Sequence, residues 1–190
     1  MSVLSLLRPR EIPLRRAMAR SAVALIERQD EKGEPALLFI QRASREGDPW
    51  SGDMAFPGGK MQVEDSEPRE AAIRETLEET GLDLQEHGRL VARLSDRLTR
   101  QHSRWRPMVV TPYLFAWHGA MAPPPTAALS HEVEAAVWVP RRVLASPEYR
   151  AIRPFPTPFG TLKLPCCIYQ GHCIWGLSFS LVNEYLREHA

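Results

Sequence analysis

The sequence predicts an α/β fold. Two observations carry that prediction. Several short apolar runs, bounded by turn-forming residues, have the length and spacing of strands. Two longer stretches, 67–80 and 177–188, carry their apolar residues at helical spacing. A chain of 190 residues with 44% hydrophobic residues can bury one ordinary core.

Taken in order, residues 1–19 read as an irregular or partly helical arm, rich in Arg and broken by Pro9 and Pro13. Residues 20–190 read as one domain. Ser21–Arg28 is a first strand and Ala36–Gln41 a second, joined by a turn at Gly33. Leu90–Leu94 is a strand, and 95–107 a loop. Met108–Trp117 is the longest strand, with Pro112 marking a bulge or an edge. The run MAPPPT is a loop, Glu134–Val139 a strand, and Pro140–Ala145 a short helix. The Pro-rich segment 150–165 reads as irregular, in the manner of a lid or specificity loop. Leu162–Tyr169 and His172–Trp175 form a hairpin about Gln170-Gly171, and Leu177–Glu188 is the last helix. Trp138, Trp175 and Cys173 read as core residues.

Composition excludes several classes. A net charge of +1 argues against bulk nucleic acid as a partner. Cys166, Cys167 and Cys173 are odd in number and contain no CxxC pair, so they support neither a disulfide framework nor a zinc site, and a reducing, cytoplasmic setting fits. No apolar run reaches transmembrane length, so no membrane partner is expected. Only Lys32, Lys60 and Lys163 are lysines. The arginine bias suits phosphate recognition, but genomic base composition is the better explanation.

The stretch Phe56–Leu82, FPGGKMQVEDSEPREAAIRETLEETGL, concentrates the chemistry. Gly58 and Gly59 permit close backbone approach. Ser66 is placed to N-cap the following helix, Pro68 suits its first turn, and Gly81 its end. Ala72, Ile73, Thr76 and Leu77 give that helix an apolar side, and the carboxylates occupy a different one. At about 100° per residue, Glu75 and Glu79 lie about 40° apart, and Glu78 about 60° to the other side of Glu75. Such crowding destabilises a helix unless cations offset it. Arg74 can pair with Glu78 at i,i+4. A hard divalent ion such as Mg²⁺ can take the remainder, since it favours carboxylates together with substrate phosphates. By itself the run also reads as a solvated acidic face. The glycine pair directly upstream favours a site.

Glycine, an acidic residue and then Arg-Glu-x-x-Glu-Glu-x-Gly and an apolar residue form a pattern that resembles the Nudix box of the Nudix hydrolases. Here it comprises Gly59, Asp65 and Arg74 to Leu82. The acidic position is Asp, and the Gly59–Arg74 spacing is one residue longer than usual. The resemblance implies an α/β/α sandwich around a mixed sheet and hydrolysis of a nucleoside diphosphate linked to another group. It implies that Gly59, Glu75, Glu78 and Glu79 bind Mg²⁺ or Mn²⁺, that one of the glutamates serves as base, and that Arg74 orients a carboxylate. Glu132 and Glu134 are candidates for a further acid from outside the box, and each also reads as a solvated acid. Lys60 and Gly58 are candidates for phosphate contact, and Trp50 for ligand contact. His102, Arg104 and Arg106 stand in a loop that could face phosphates.

Leu37-Leu38, Arg42-Ala43, Gly52 and Phe56-Pro57-Gly58-Gly59 are similar to the coenzyme A diphosphatase branch of that family, as is HCIWGL at 172–177. This makes Arg42 a candidate substrate contact and coenzyme A or an acyl-CoA the lead substrate, giving 3′,5′-ADP and a phosphopantetheine product. Gly47 stands where the branch has a second Arg, with Arg45 nearby. Other nucleotide diphosphates, such as ADP-ribose, dinucleotide polyphosphates or NTPs, and a non-catalytic nucleotide-binding module are the alternatives. The expected partner is a small nucleotide, and a homodimer is left open.

Overall fold

A computed structural model describes residues 9–13, 15–30, 32–44, 50–100, 106–119 and 129–188. The loops expected at 101–105 and at MAPPPT, with Arg45, Gly47, His102 and Arg104, lie outside those residues. Arg106 is described and exposed.

The centre is β1 (Ala19–Gln29), longer at both ends than the expected 21–28. Its residues alternate between two apolar layers, as a strand buried on both faces must. Ala22, Ala24 and Ile26 enter one layer, and Leu25 enters the other. On one side β1 pairs in parallel with β7 (Pro107–Trp117). On its other side it pairs antiparallel with β2 (Pro35–Arg42) at one end and with β4 (Gly58–Lys60) at the other. β2 also pairs antiparallel with β3 (Met54–Ala55) and β8 (Val133–Pro140). β7 carries β5 (Gly88–Arg93) and β6 (Arg97–Arg100) along its far edge. The sheet is therefore mixed, as expected, with eight strands among the described residues.

Helices cover both faces. α1 (Pro68–Thr80) and α2 (Leu84–His87) close the layer of Ala22, Ala24 and Ile26. α3 (Arg141–Ala145) and α4 (Gly176–Glu188) close the other, through Val143, Leu144, Phe179, Val182 and Tyr185. The Tyr185 hydroxyl donates to Glu27, fixing α4 to β1.

Several expectations change. The loop expected at 95–107 contains β6, so the edge is longer than the sequence showed. Pro112 accepts the Leu94 N–H with its carbonyl. In a strand, N–H and C=O of one residue point the same way, so the missing donor of Pro112 faces the break between β5 and β6, where no ladder bond is lost.

The segment expected to be irregular at 150–165 is instead β9 (Arg150–Thr157) and the start of β10 (Gly160–Tyr169). With β11 (His172–Trp175) they form a separate antiparallel sheet, ordered β11-β10-β9. Pro154 and Pro156 lie in the edge strand β9, where an absent N–H is tolerated. The expected turn at Gln170-Gly171 is present, with φ of 50° and 83°, the positive pair a two-residue I′ hairpin requires. Trp138 is half-buried beneath the Arg28 guanidinium, 4.3 Å from the ring centroid. Trp175 and Cys173 are half-buried rather than core residues, because side chains alternate along β11 and Ile174 takes the core-facing position.

In the arm, Arg15–Ala17 is a single 3₁₀ turn. The arm docks on Asp96, which is 7% exposed. The Asp96 carboxylate accepts from the Ile12 N–H at 3.1 Å, Arg15 at 3.4 Å, Arg93 at 2.6 Å and the Thr111 hydroxyl at 2.9 Å. One carboxylate thus joins the arm, β5 and β7. Asp96→Ala leaves these donors unmatched and is expected to destabilise the fold by about 2–4 kcal/mol. Urea unfolding checks this, with a loss under about 0.5 kcal/mol, the size of a neutral surface change, counting against the role.

Candidate active site

The site is built where α1 lies across β4. Gly58 has φ 149°, and a side chain there would meet the Ala22 carbonyl oxygen at 2.2 Å. A Cβ on Gly59 would stand 2.3 Å from the Glu75 carboxyl carbon. Glycine at both positions lets the strand approach β1 on one side and the helix carboxylates on the other.

The start of α1 differs from expectation. The capping position is Glu67, with no side-chain cap bond, and Pro68 opens the helix. Ser66 bonds Glu70 instead, its N–H donating at 2.6 Å and its hydroxyl at 2.9 Å. Gly81 ends the helix as expected, at φ 73°, its N–H on the Leu77 carbonyl.

The buried side also differs. It consists of Ala71, Ala72, Thr76, Glu79 and Thr80, whereas Leu77 is 47% exposed. Leu77 lies about 140° around the helix from Ala72, off the packed stripe. Small residues are needed because α1 packs closely on the sheet. The buried hydroxyls of Thr76 and Thr80 donate to the Ala72 and Thr76 carbonyls, at 2.7 and 2.6 Å. The carboxylates therefore do not all share a separate face, since Glu79 belongs to the buried stripe at 8% exposure.

Glu79 Oε2 accepts the Gly58 N–H at 2.9 Å. Burial pushes its carboxyl up to about 8. The Gly58 N–H and the Arg42 charge oppose that shift, and the charges of Glu75 and Glu132 add to it. Burial likewise raises Glu75 above the ordinary carboxylate range, against the pull of Arg74. Burial thus works against ionisation of both carboxyls, and a nearby cation favours it.

Arg74 supplies part of that offset. It donates to Asp65 and Glu75 at 3.0 Å, to Glu78 at 3.3 Å and to the Lys60 carbonyl at 3.1 Å. The Glu78 pairing is the one expected. The bonds to Asp65 and Lys60 tie α1 to the acidic loop and to β4. The hydrogen bond with Asp65, the largest contribution, holds Arg74 further into its charged range. Asp65 lies below its usual range, because Arg74 and the Gln62 N–H outweigh the effect of burial. Among the described residues, no group of three or more His, Cys, Asp or Glu side chains is gathered closely enough to hold a metal ion.

A cleft of about 460 Å³ opens beside Glu79. Arg42, Trp50, Gly58, Gly59, Lys60 and Glu79 all line it, so the structure brings together the expected substrate-contact residues with one carboxylate. Trp50 is 38% exposed. Glu132 stands in the short loop before β8. Its carbonyl accepts the Ala43 N–H at 2.8 Å, and the Ser130 N–H in the same loop donates to the Glu79 carbonyl at 3.1 Å. Glu134 is exposed on β8.

Sequence reading missed one wall. Asp53, Thr99, Met108, Val110 and Trp175 also line the cleft. Arg153 pairs with Asp53 at 2.9 Å and lies over the Trp175 ring at 4.2 Å. Thr99 and Arg153 fall in segments that read as loops. Trp175 read as core because a lone aromatic in an apolar run carries no sign of which surface it meets.

The comparisons with known proteins follow this geometry. A family profile described as the NUDIX domain matches residues 18–157. The chain is 34% identical over 150 residues to an uncharacterized protein of Schizosaccharomyces pombe, covering 72% of this chain and 44% of that protein. It is 42% identical over 71 residues to the mitochondrial coenzyme A diphosphatase NUDT8 of Homo sapiens, covering 37% of this chain and 30% of that protein. The chain thus spans less than half the length of the curated relatives it matches. Among solved structures, a MutT/nudix family protein from Enterococcus faecalis superimposes with a TM-score of 0.55 at 18% identity, over 90% of this chain and 61% of that one. A C. elegans Ap4A hydrolase complex gives 0.53 at 20% identity, over 65% and 81%. With the matched domain running through the glycine pair and the acidic helix, the chain belongs to the Nudix hydrolase family.

Proposed function

We propose that the protein hydrolyses a nucleoside diphosphate linked to another group, with coenzyme A or an acyl-CoA as lead substrate and 3′,5′-ADP and an (acyl-)phosphopantetheine as products. The observation that carries this reading is the buried Glu79, held by the Gly58 N–H at the wall of a cleft that also contains Arg42 and Lys60. The substrate choice is supported by the 42% identity to a coenzyme A diphosphatase and by Arg42, at the end of β2, in that cleft.

The donor set suits Mg²⁺ or Mn²⁺, because Glu75 and Glu79 are carboxylates that burial raises above their ordinary range and that a further cation would favour in the charged form. In this reading Glu75, Glu78 and Glu79, which the structure does not gather into one cluster, would converge with the Gly59 carbonyl to hold the ion. When bound, such an ion stabilises charge on phosphoryl oxygens and promotes ionisation of water. The residues of the chain do the rest. Arg74 holds Glu75 and Glu78 in place from behind the site rather than touching substrate. Arg42 and Lys60 take phosphate oxygens, and the Gly58 backbone keeps one Glu79 oxygen oriented. A glutamate of the box takes the proton from the attacking water. Glu132 is the better placed of the two outside acids, since its charge already acts on Glu75 and Glu79.

Glu79→Gln keeps an acceptor for the Gly58 N–H but removes the charge. Turnover should fall by about 10²–10³-fold or more with the melting temperature unchanged or raised, and near-normal activity in a folded variant would remove Glu79 from the site. EDTA should abolish turnover, and Mg²⁺ or Mn²⁺ should restore it; full activity in chelator would exclude metal dependence. Product analysis with CoA, hexanoyl-CoA, ADP-ribose and NTPs should show the CoA substrates cleaved fastest. Much faster cleavage of ADP-ribose would replace the lead substrate. Binding without cleavage of any of them would make the protein a nucleotide-binding module.

A further inference from the structure

The cleft has two kinds of lining. Glu79, Gly58 and Lys60 contribute charge and a backbone donor, and Trp175 and Leu177 of the C-terminal segment, with Met108 and Val110 of the main sheet, contribute apolar surface. The apolar surface at Trp175 continues along the smaller sheet. Cys166 pairs with Trp175, Leu164 with Arg153 and Leu162 with Phe155. Directly paired residues share a face of an antiparallel sheet, so Trp175, Phe155, Leu162 and Leu164 form one strip. Phe155 stands 5.3 Å from Trp175 between centroids, tilted at 39°. Leu162 is 53% exposed.

The charge on this strip is already matched. Arg153 covers the Trp175 ring and is paired with Asp53, whose carboxylate is buried. Asp53 belongs to the turn beside Arg42 and Trp50: its carbonyl accepts the Arg42 N–H, and its own N–H donates to the Trp50 carbonyl. The indole therefore packs against a guanidinium and a tilted phenyl ring, an arrangement that disfavours parallel stacking of a base. An apolar ledge beside a cleft that also holds Arg42 and Lys60 suits an extended, uncharged chain.

We propose that the face of the C-terminal sheet keyed by Trp175 is the subsite for the apolar, non-nucleotide arm of the substrate, and that Arg153 is the positioning residue that sets the indole and ties it to Asp53. The inference rests on the cleft being the seat of phosphoanhydride cleavage, and it makes the chain bound by the ledge, rather than the nucleotide, the source of selectivity.

The test is binding by calorimetry in EDTA, where metal-dependent turnover does not compete, with hexanoyl-CoA, CoA and ADP-ribose. The wild-type protein should bind hexanoyl-CoA more tightly than CoA, and CoA more tightly than ADP-ribose. Trp175→Ala should weaken hexanoyl-CoA by about tenfold and ADP-ribose by less than about twofold, with Trp175→Phe restoring most of the loss. Leu162→Asp, at an exposed position that the fold does not need, should weaken hexanoyl-CoA and leave CoA unchanged. Arg153→Lys keeps a charge for Asp53 but loses the planar stack. It should raise KM for hexanoyl-CoA at unchanged kcat, whereas a purely structural role would lower the melting temperature without that split.

Equal affinity of the wild-type protein for the three ligands, or equal weakening of all three by Trp175→Ala, would overturn the inference. So would an altered oligomeric state in the Leu162→Asp variant with hexanoyl-CoA binding intact, because the strip would then be an interface between copies. CoA esters bound in the expected order but not cleaved on addition of Mg²⁺ would overturn the reaction proposed above and support the subsite.

Discussion

The close approach of α1 to β4 is the constraint on which the rest depends. It exists because residues 58 and 59 have no side chains. At Gly58 the strand lies against the backbone of β1, and at Gly59 against the carboxyl of Glu75. That contact sets the rotation of the helix. With Glu75 and Glu79 turned toward the strand, Ala72 and Thr76 fall against the sheet and Leu77 is left outside. Small side chains at Ala71, Ala72, Thr76 and Thr80 are the other half of the same fit, since a bulky residue would hold the helix away from the glycines.

The electrostatics follow from that packing. Bringing a carboxylate into a buried position beside other acids is costly, and the chain compensates only in part. Arg74 matches the outer carboxylates and Asp65, and the Gly58 N–H matches one oxygen of Glu79. What remains is a pair of glutamates whose carboxyls burial raises above the ordinary range. Perturbed carboxyls of this kind occur in structural networks as well as in active sites. Here they adjoin a cleft lined by Arg42, Lys60 and two glycines, which is the environment a phosphoanhydride requires.

The second sheet gives the molecule an asymmetric cleft. Most of the lining belongs to the main sheet and the glycine turn, whose backbone is fixed by ladder bonds. The rest includes Trp175 and Leu177, carried by the smaller sheet and the start of α4. The Ser178 hydroxyl on the Met54 carbonyl, at 3.1 Å, and the Arg153–Asp53 pair join the two.

Much of this was legible along the chain. The first strand, the long strand ending at Trp117, the terminal hairpin and the last helix were readable because their periodicity and turn residues are local properties. So was the glycine pair followed by REx2EExG, where spacing alone brings three glutamates within one turn. Local sequence misplaced the cap at Ser66, because Pro68 opens the helix and makes Glu67 the last extended residue. It also left β6, β9 and part of β10 as loops, because the arginines of β6 and the prolines of β9 suit a strand at a sheet edge, and edge status is a matter of sheet order.

By itself, then, the sequence determined the longer strands and the two main helices, the α/β class and the acidic helix with its glycines. Tertiary structure decided which carboxylate is buried, which residues Arg74 joins, and that Arg153 links Trp175 to Asp53 at the cleft. Burial and charge pairing depend on contacts between residues a hundred or more positions apart, and no local pattern encodes them.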